Sequence, residues 1–284
     1  MDNNFKVIDN FHERICPWII GNNFAKSVIA LQLFSNPVAG EKFHLLLVGD
    51  IAAGKSDILR FVSECIPQSA VTDKKITPTG MFQRLGSCNG GLLINDEFDK
   101  IDKNCREMLL ECMQSQTITE DKNDVHYTKK CYVNILAAAN PTGHVVTDDP
   151  LYLQVKFSLA TLTRFHMLIP FRQIDPSLYG DLAVIHNQLK QPALIEKAVL
   201  EIRNYIHDVR QQVPKVTIDD DLNRMIGNYI QDLKEFSALA KIISPRTIEG
   251  FTSFIKARAR MMLRDKPTKE DFDYVCELFQ EVYK

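Results

Sequence analysis

Apolar and polar positions fall into two rhythms along this chain, and the change of rhythm divides it. From about Phe11 to Arg172, short apolar runs recur: Leu45 to Val48, Ala70 to Val71, Leu92 to Ile94, Val133 to Ala139 and Met167 to Ile169. Helical spacings fill the gaps between them. Five such runs predict a three-layer α/β unit built on a five-stranded, mainly parallel sheet. After Asp175 the strand runs stop. Segments from about Ala193 to Gln212, Asp220 to Phe236, Arg246 to Arg264 and Lys269 to Tyr283 read as amphipathic helices, with Pro214 and Pro267 in the gaps. The expected organisation is an α/β domain over residues 1–175 and an α-helical lid domain over 176–284. Thr268 is a natural N-cap for the last helix, its hydroxyl accepting from first-turn N–H groups, while Glu270 and Asp271 favour the positive helix end.

The first strand run ends in Gly49-Asp50-Ile51-Ala52-Ala53-Gly54-Lys55-Ser56, after which Ile58, Phe61, Val62, Cys65 and Ile66 recur at helical spacing. Strand, glycine-rich loop and helix in that order form a phosphate cradle. The glycines let backbone N–H groups curl around phosphate, Lys55 reaches the β- and γ-phosphates, and Ser56 ligates Mg²⁺. The helix N-terminus adds its own unpaired N–H groups and the positive end of its dipole. ATP and Mg²⁺ are therefore the expected ligands.

Three further sites suit hydrolysis. The strand Leu92-Leu93-Ile94-Asn95 delivers Asp96 and Glu97 to the carboxyl edge of the sheet, where Asp96 would hold Mg²⁺ through water and Glu97 would polarise the attacking water. Asn95 puts an amide where such strands are usually apolar. Asn140 ends the strand Ile135 to Ala139, placed to orient the lytic water or simply to begin an Asn-Pro turn. Arg164 precedes the last strand, either as an arginine finger offered to a neighbouring subunit or as an ordinary surface arginine.

Composition alters this picture little. The chain has 284 residues, 45% hydrophobic and 25% charged, with a net charge of −2 that gives no global basic footprint for nucleic acid. Seven scattered cysteines without a C-x-x-C pair argue against a zinc site or a disulfide framework. With no signal-peptide pattern and no long apolar stretch, the expected location is cytoplasmic, nucleoid or nuclear, not secreted and not membrane.

The order of motifs resembles the AAA+ superfamily, and their wording resembles one branch, the minichromosome maintenance (MCM) replicative helicases. Ile15-Cys16-Pro17-Trp18-Ile19-Ile20-Gly21 followed by Leu31-Gln32-Leu33-Phe34 is similar to that family's entry to the ATPase domain; Asp96-Glu97-Phe98-Asp99-Lys100 and Leu136 to Pro141 match it almost letter for letter. By this resemblance, Ile19, Ile20 and Gly21 would pack on adenine. Gln116-Thr117-Ile118-Thr119 resembles the start of the family's channel hairpin, which places Lys122 at the tip as a DNA-contacting lysine. Ser244-Pro245-Arg246-Thr247-Ile248-Glu249 resembles its sensor-2 helix, which implies that Arg246 contacts the nucleotide of an adjacent subunit. For the rest of that helix a solvated basic face of Lys256, Arg260 and Arg264 is an open alternative.

The chain departs from the pattern in several places. It reads as the ATPase core without the family's N-terminal or winged-helix domains. Between Val71 and Gly90 there is no room for a second channel hairpin, with Thr77-Pro78-Thr79-Gly80 leading almost directly into the acidic strand. Gly54 and His166 replace the family's usual alanine and aspartate. Three functions fit this order of motifs. The first is a ring-shaped homo-oligomer, a hexamer by resemblance, that couples ATP hydrolysis to movement on DNA through Lys122, with accessory replication proteins as further partners. The others are a protein-remodelling ATPase of the MoxR and magnesium-chelatase type, and a non-motor module switched by ATP. Lys129 and Lys130, near Lys122 and His126, fit the DNA-binding function or an ordinary exposed hairpin.

Overall fold

All five apolar runs become strands of one sheet. In the computed structural model, which describes residues 7–8, 10–122, 125–237 and 240–283 with the side chains of 121–126 excepted, the chain opens with α1 (Asn23–Phe34). It continues through β1 (Leu45–Gly49), α2 (Lys55–Cys65), β2 (Ser69–Thr72), α3 (Pro78–Ser87), β3 (Leu92–Asn95) and α4 (Lys103–Ser115). A hairpin of β4 (Thr117–Lys122) and β5 (Val125–Lys130) leads to β6 (Asn134–Ala139), α5 (Leu159–Leu162) and β7 (Met167–Phe171). Five helices follow: α6 (Tyr179–Leu189), α7 (Pro192–Gln212), α8 (Asp220–Phe236), α9 (Pro245–Met261) and α10 (Lys269–Tyr283). The main sheet has the order β2-β3-β6-β1-β7, and every neighbouring pair is parallel.

Strand alternation sorts the side chains into two cores. Leu45, Leu47, Ile94, Leu136, Met167 and Ile169 face α1, α2 and the C-terminal helices, whereas Leu46, Val48, Leu93, Ile135 and Leu168 face α3 and α4. That makes three layers, with β1 between β6 and β7 and its C-terminal end opening into the phosphate loop. Asn95 is fully buried and explains itself: its Nδ2 donates to Thr72 Oγ1 at 2.8 Å, tying β3 to β2 beside the acidic pair.

The helices after β7 share the first of these cores. Val199, Ile202, Ile206, Phe251, Phe254 and Phe279 belong to it, and the Phe254 ring stacks on Phe43 at 4.0 Å. The solvated basic face on α9 is overturned. Arg260 is fully buried and grips Glu41 through two bonds of 2.6 Å, with further bonds to the carbonyls of Phe34 and Val213. Arg264 pairs with buried Asp271 at 2.5 Å. Burial of a charge is tolerable only with such full pairing, so the spacing of these residues reflects anchoring, not solvation.

The structure corrects three more expectations. Thr268 does stand at the N-cap of α10, its carbonyl accepting the Phe272 N–H at 3.2 Å, but its hydroxyl donates to Asp271 Oδ2 at 3.2 Å, and the same carboxylate oxygen accepts the Thr268 N–H at 2.8 Å, so the third residue of the helix caps Thr268. The segment after Thr77 does not run straight into the acidic strand; Thr77 caps α3 by accepting the Gly80 N–H at 3.1 Å. Finally, α6 was not expected as a helix. None of its residues is buried, so it lacks the amphipathic stripe that betrays packed helices.

Candidate nucleotide-binding site

Where β1 ends, the chain has no space for a side chain. A Cβ on Gly49 would lie 2.6 Å from the Phe171 carbonyl oxygen and 2.8 Å from Lys55 Cδ. The loop then turns through Ala52 (φ 61) and Gly54 (φ 93), left-handed conformations that aim backbone N–H groups inward, and Lys55 starts α2. Lys55 Nζ is buried and donates to the carbonyls of Gly49 (2.7 Å) and Asp50 (2.6 Å). Burial lowers its pKa, with the charges of Asp96, Asp50 and Asp99 opposing the shift. Asp50 turns away from the cavity. Its carboxylate accepts the N–H groups of Val146 (2.5 Å) and Gln173 (2.8 Å), so it shapes the loop from behind.

Ile51 to Asp57, Asp96, Glu97, Lys100 and Asn140 line a cavity of about 440 Å³. Ser56 Oγ donates to Asp96 Oδ2 at 2.6 Å, which sets two hard oxygen donors side by side at its edge. Among the described residues no cluster of three or more metal-ligating side chains exists. The pair fits Mg²⁺, which is commonly held by one or two protein oxygens together with substrate phosphates. Glu97 occupies a left-handed backbone position (φ 65), and its two carboxylate oxygens meet Lys100 Nζ (2.5 Å) and Lys74 Nζ (3.1 Å). Hydrogen bonds from Lys100 and then Lys74 lower its pKa, which keeps it ionised.

A second, more apolar cavity of about 500 Å³ adjoins the first. Trp18, Ile19 and Ile20 form one wall and Tyr179, Leu182 and His186 of α6 another. Ile19 and Ile20 line this cavity together with Ala52, Ala53 and Gly54 of the loop. Gly21 does not line this cavity; with φ 75 it turns the chain toward α1. Sequence reasoning missed two supports of this wall. Lys26 is buried, and its Nζ donates to the carbonyls of Ile19 (2.6 Å) and Cys16 (3.2 Å), pinning the segment that carries Trp18. A lysine in the otherwise apolar α1 was the available signal. Asn22 exchanges two 2.9 Å bonds with the backbone of Arg172 just after β7.

Arg164 and Arg246 line neither cavity. Arg164 donates to the Ala160 carbonyl at 2.5 Å and to Gln114 Oε1 at 3.0 Å. Arg246 opens α9, where the Thr247 hydroxyl accepts the Ser244 N–H at 3.0 Å. Burial first, and the nearby Arg246 charge second, lower the Arg164 pKa; Arg246 also bears on His166. The two arginines therefore share one region. Among the described residues neither has a carboxylate within ion-pairing distance.

The MCM P-loop domain family model matches residues 1–81 and 85–183. This chain belongs to that family. It is 26% identical to a probable DNA helicase MCM9 of Oryza sativa subsp. indica over 90% of this chain and 43% of that protein. It is 24% identical to the minichromosome maintenance protein MCM of Saccharolobus solfataricus, over 96% of this chain and 44% of the relative. A Drosophila melanogaster DNA replication licensing factor Mcm2 is 27% identical over 98% of this chain and 36% of that protein. The chain spans less than half the length of each of these relatives.

On this MCM P-loop domain the hairpin of β4 and β5 pairs in antiparallel register, and the backbone of Lys122 faces Val125 beside the turn. The side chains of Lys122 and His126 and the turn itself lie outside the described residues. Lys129 and Lys130 are both exposed, and Lys129 Nζ sits 4.4 Å from the centre of the Phe82 ring on α3. One of the hairpin's lysines is thus engaged in a cation–π contact instead of standing free. No helix among the described residues is long and apolar enough to cross a membrane.

Proposed function

We propose that this chain is the ATP-hydrolysing motor core of an MCM-type helicase, working as a ring of subunits in which each active site is shared by two neighbours. One observation carries this reading. Lys55, Ser56, Asp96, Glu97 and Asn140 converge on one cavity, while Arg164 and Arg246 lie in another region, near enough for their charges to interact and with no ion-paired carboxylate among the described residues. A guanidinium pair without a carboxylate suits the γ-phosphate held by an adjacent subunit. Val184, Leu194 and Leu200 on α6 and α7 remain exposed and add apolar surface for assembly.

The phosphate loop and the N-terminus of α2 bind the triphosphate, and Lys55 exchanges its two carbonyl acceptors for anionic oxygens. Mg²⁺ bound by Ser56 and Asp96 would neutralise phosphate charge. Glu97 accepts the proton of the attacking water, which requires it to leave at least one of its lysines. Asn140 orients that water, and Arg164 and Arg246 of a neighbour stabilise the charge that develops. Ile19 and Ile20 hold adenine, and Gly21 supports them through its turn. Lys122 would contact DNA from the hairpin tip. The residues up to 175 would act as the nucleotide-binding unit and those after it as the lid. A hexameric ring, and contacts with accessory replication proteins, belong to the same proposal.

The test is ATP turnover, with and without single-stranded DNA, on protein of defined assembly state. The expected result is turnover that needs assembly and rises with DNA. Assembled protein whose turnover ignores DNA, and whose Lys122→Ala variant matches the parent, would overturn the helicase reading.

A further inference from the structure

Asp57 is the one carboxylate-bearing residue that lines both cavities, the apolar one between Trp18 and α6 and the phosphate one around Lys55. It follows Ser56 in the first turn of α2, with its N–H on the Gly54 carbonyl at 3.1 Å. An acid in that turn is favoured by the helix dipole, but here it competes for the same positive end that phosphates use. The structure resolves the conflict with a partner. Lys190, the residue closing α6, places Nζ 2.5 Å from Asp57 Oδ2, and each side chain is only about one third exposed (35% and 34%). The pair is neutral, so the carboxylate stands at the junction without repelling an incoming polyphosphate. It leaves Oδ1 without a hydrogen bond among the described residues.

The junction of a base cavity and a phosphate cavity is where the sugar of a nucleoside triphosphate must lie. Its vicinal hydroxyls are donors, and an ionised carboxylate only accepts. We infer that Asp57, held by Lys190, accepts hydrogen bonds from the ribose diol and makes this site selective for ribonucleotides over nucleotides lacking those hydroxyls. This inference rests on the nucleotide-binding reading above and deepens it. A second consequence concerns Lys190. Because it neutralises Asp57, its loss leaves a bare carboxylate facing the phosphates, which penalises charged ligands more than an uncharged nucleoside.

Calorimetric titration of the full chain with ATP and with 2′,3′-dideoxy-ATP tests the assignment. The parent is expected to prefer ATP on the order of ten-fold, the scale of a hydrogen bond to a charged group. Asp57→Asn should bring the two ligands within about two-fold of each other, since a neutral amide accepts more weakly. Lys190→Met should weaken ATP more than adenosine. A parent that binds neither nucleotide overturns the nucleotide-binding reading itself. A parent that binds both equally, or an Asp57→Asn variant that keeps the parental preference, overturns the ribose assignment and leaves nucleotide binding intact. Equal weakening of ATP and adenosine by Lys190→Met overturns the neutralising role.

Discussion

Around the phosphate cavity two of the acids are paired with cations, Glu97 with Lys74 and Lys100 and Asp57 with Lys190. On the arginine face Arg164 has one carbonyl and one amide oxygen, and Arg246 adds a second positive charge. The first region can hold its geometry unaided, as a binding site must. The second holds two positive charges with no carboxylate paired to them among the described residues, a place where an incoming anion would be favoured. The contrast teaches where to look for a partner: among groups whose charge the fold leaves unanswered.

Four changes would break or sharpen this contrast. The largest effect is expected for Arg164→Ala, a loss of turnover of about 10³–10⁵-fold, the scale of a removed arginine finger. Mixing it with Lys55→Ala should restore activity, because the two lesions fall on opposite sides of a shared site. A mixing series with no recovery would place Arg164 in its own subunit's chemistry and erase the contrast. Glu97→Gln comes next, with turnover down about 10²–10⁴-fold as for a lost general base, and ATP binding retained because the loop, Lys55 and the Ser56–Asp96 pair are untouched. Fluorescent-nucleotide binding alongside phosphate release separates the two.

The third change reaches the scaffold that carries Arg246. Glu41→Ala leaves Arg260 charged and buried, and a broken pair of that kind costs about 3–5 kcal/mol. Urea unfolding should show a large fall in the midpoint, while Lys74→Met at the exposed clamp should barely move it. The fourth is pH. His44 and His166 stack at 5.0 Å and are both buried; the His44 N–H donates to His166 Nδ1 at 2.9 Å and the Ile135 N–H to His44 Nδ1 at 3.2 Å. Burial holds His166 at about 3, with Lys42 and Arg246 adding to the shift, and holds His44 well below its usual range. The folded pKa values lie below the unfolded value of 6.5, so the unfolded chain takes up protons that the fold refuses. Stability is complete above pH 6.5 and falls toward pH 3, by up to about 1.4 kcal/mol per pH unit for each group. Urea midpoints that stay flat from pH 7 to pH 5 would contradict this.

Much of the site was legible because its chemistry is local. The phosphate loop announces itself by glycine spacing, and the acidic pair by its place at a strand end. The bounds of α8, read as Asp220 to Phe236 from its apolar periodicity, are those of the helix, and Asp219 caps it by accepting the Leu222 N–H. What stayed hidden is non-local. Nothing near Arg260 in sequence signals Glu41, so a buried anchor reads as a surface charge. Helix α6 has no fully buried residue and leaves no strong periodic stripe, so half of the apolar cavity wall escaped detection. Arg164 and Arg246 read as separate features because only the packing of α9 against the turn before β7, where Gly250 lies on His166, brings their regions together.

The Arg260–Glu41 bond also bears on how the chain is made. Its partners are 219 residues apart, and Arg260 closes onto the backbone carbonyl of Phe34 at the end of α1. The helix α1 and the loop after it therefore wait, during synthesis, for α9 before their core can close. A fragment ending near residue 175 would expose Glu41 and the apolar face of α1 to water. The core beneath the sheet that bears the phosphate loop is thus completed only when α9, far downstream in sequence, packs onto α1.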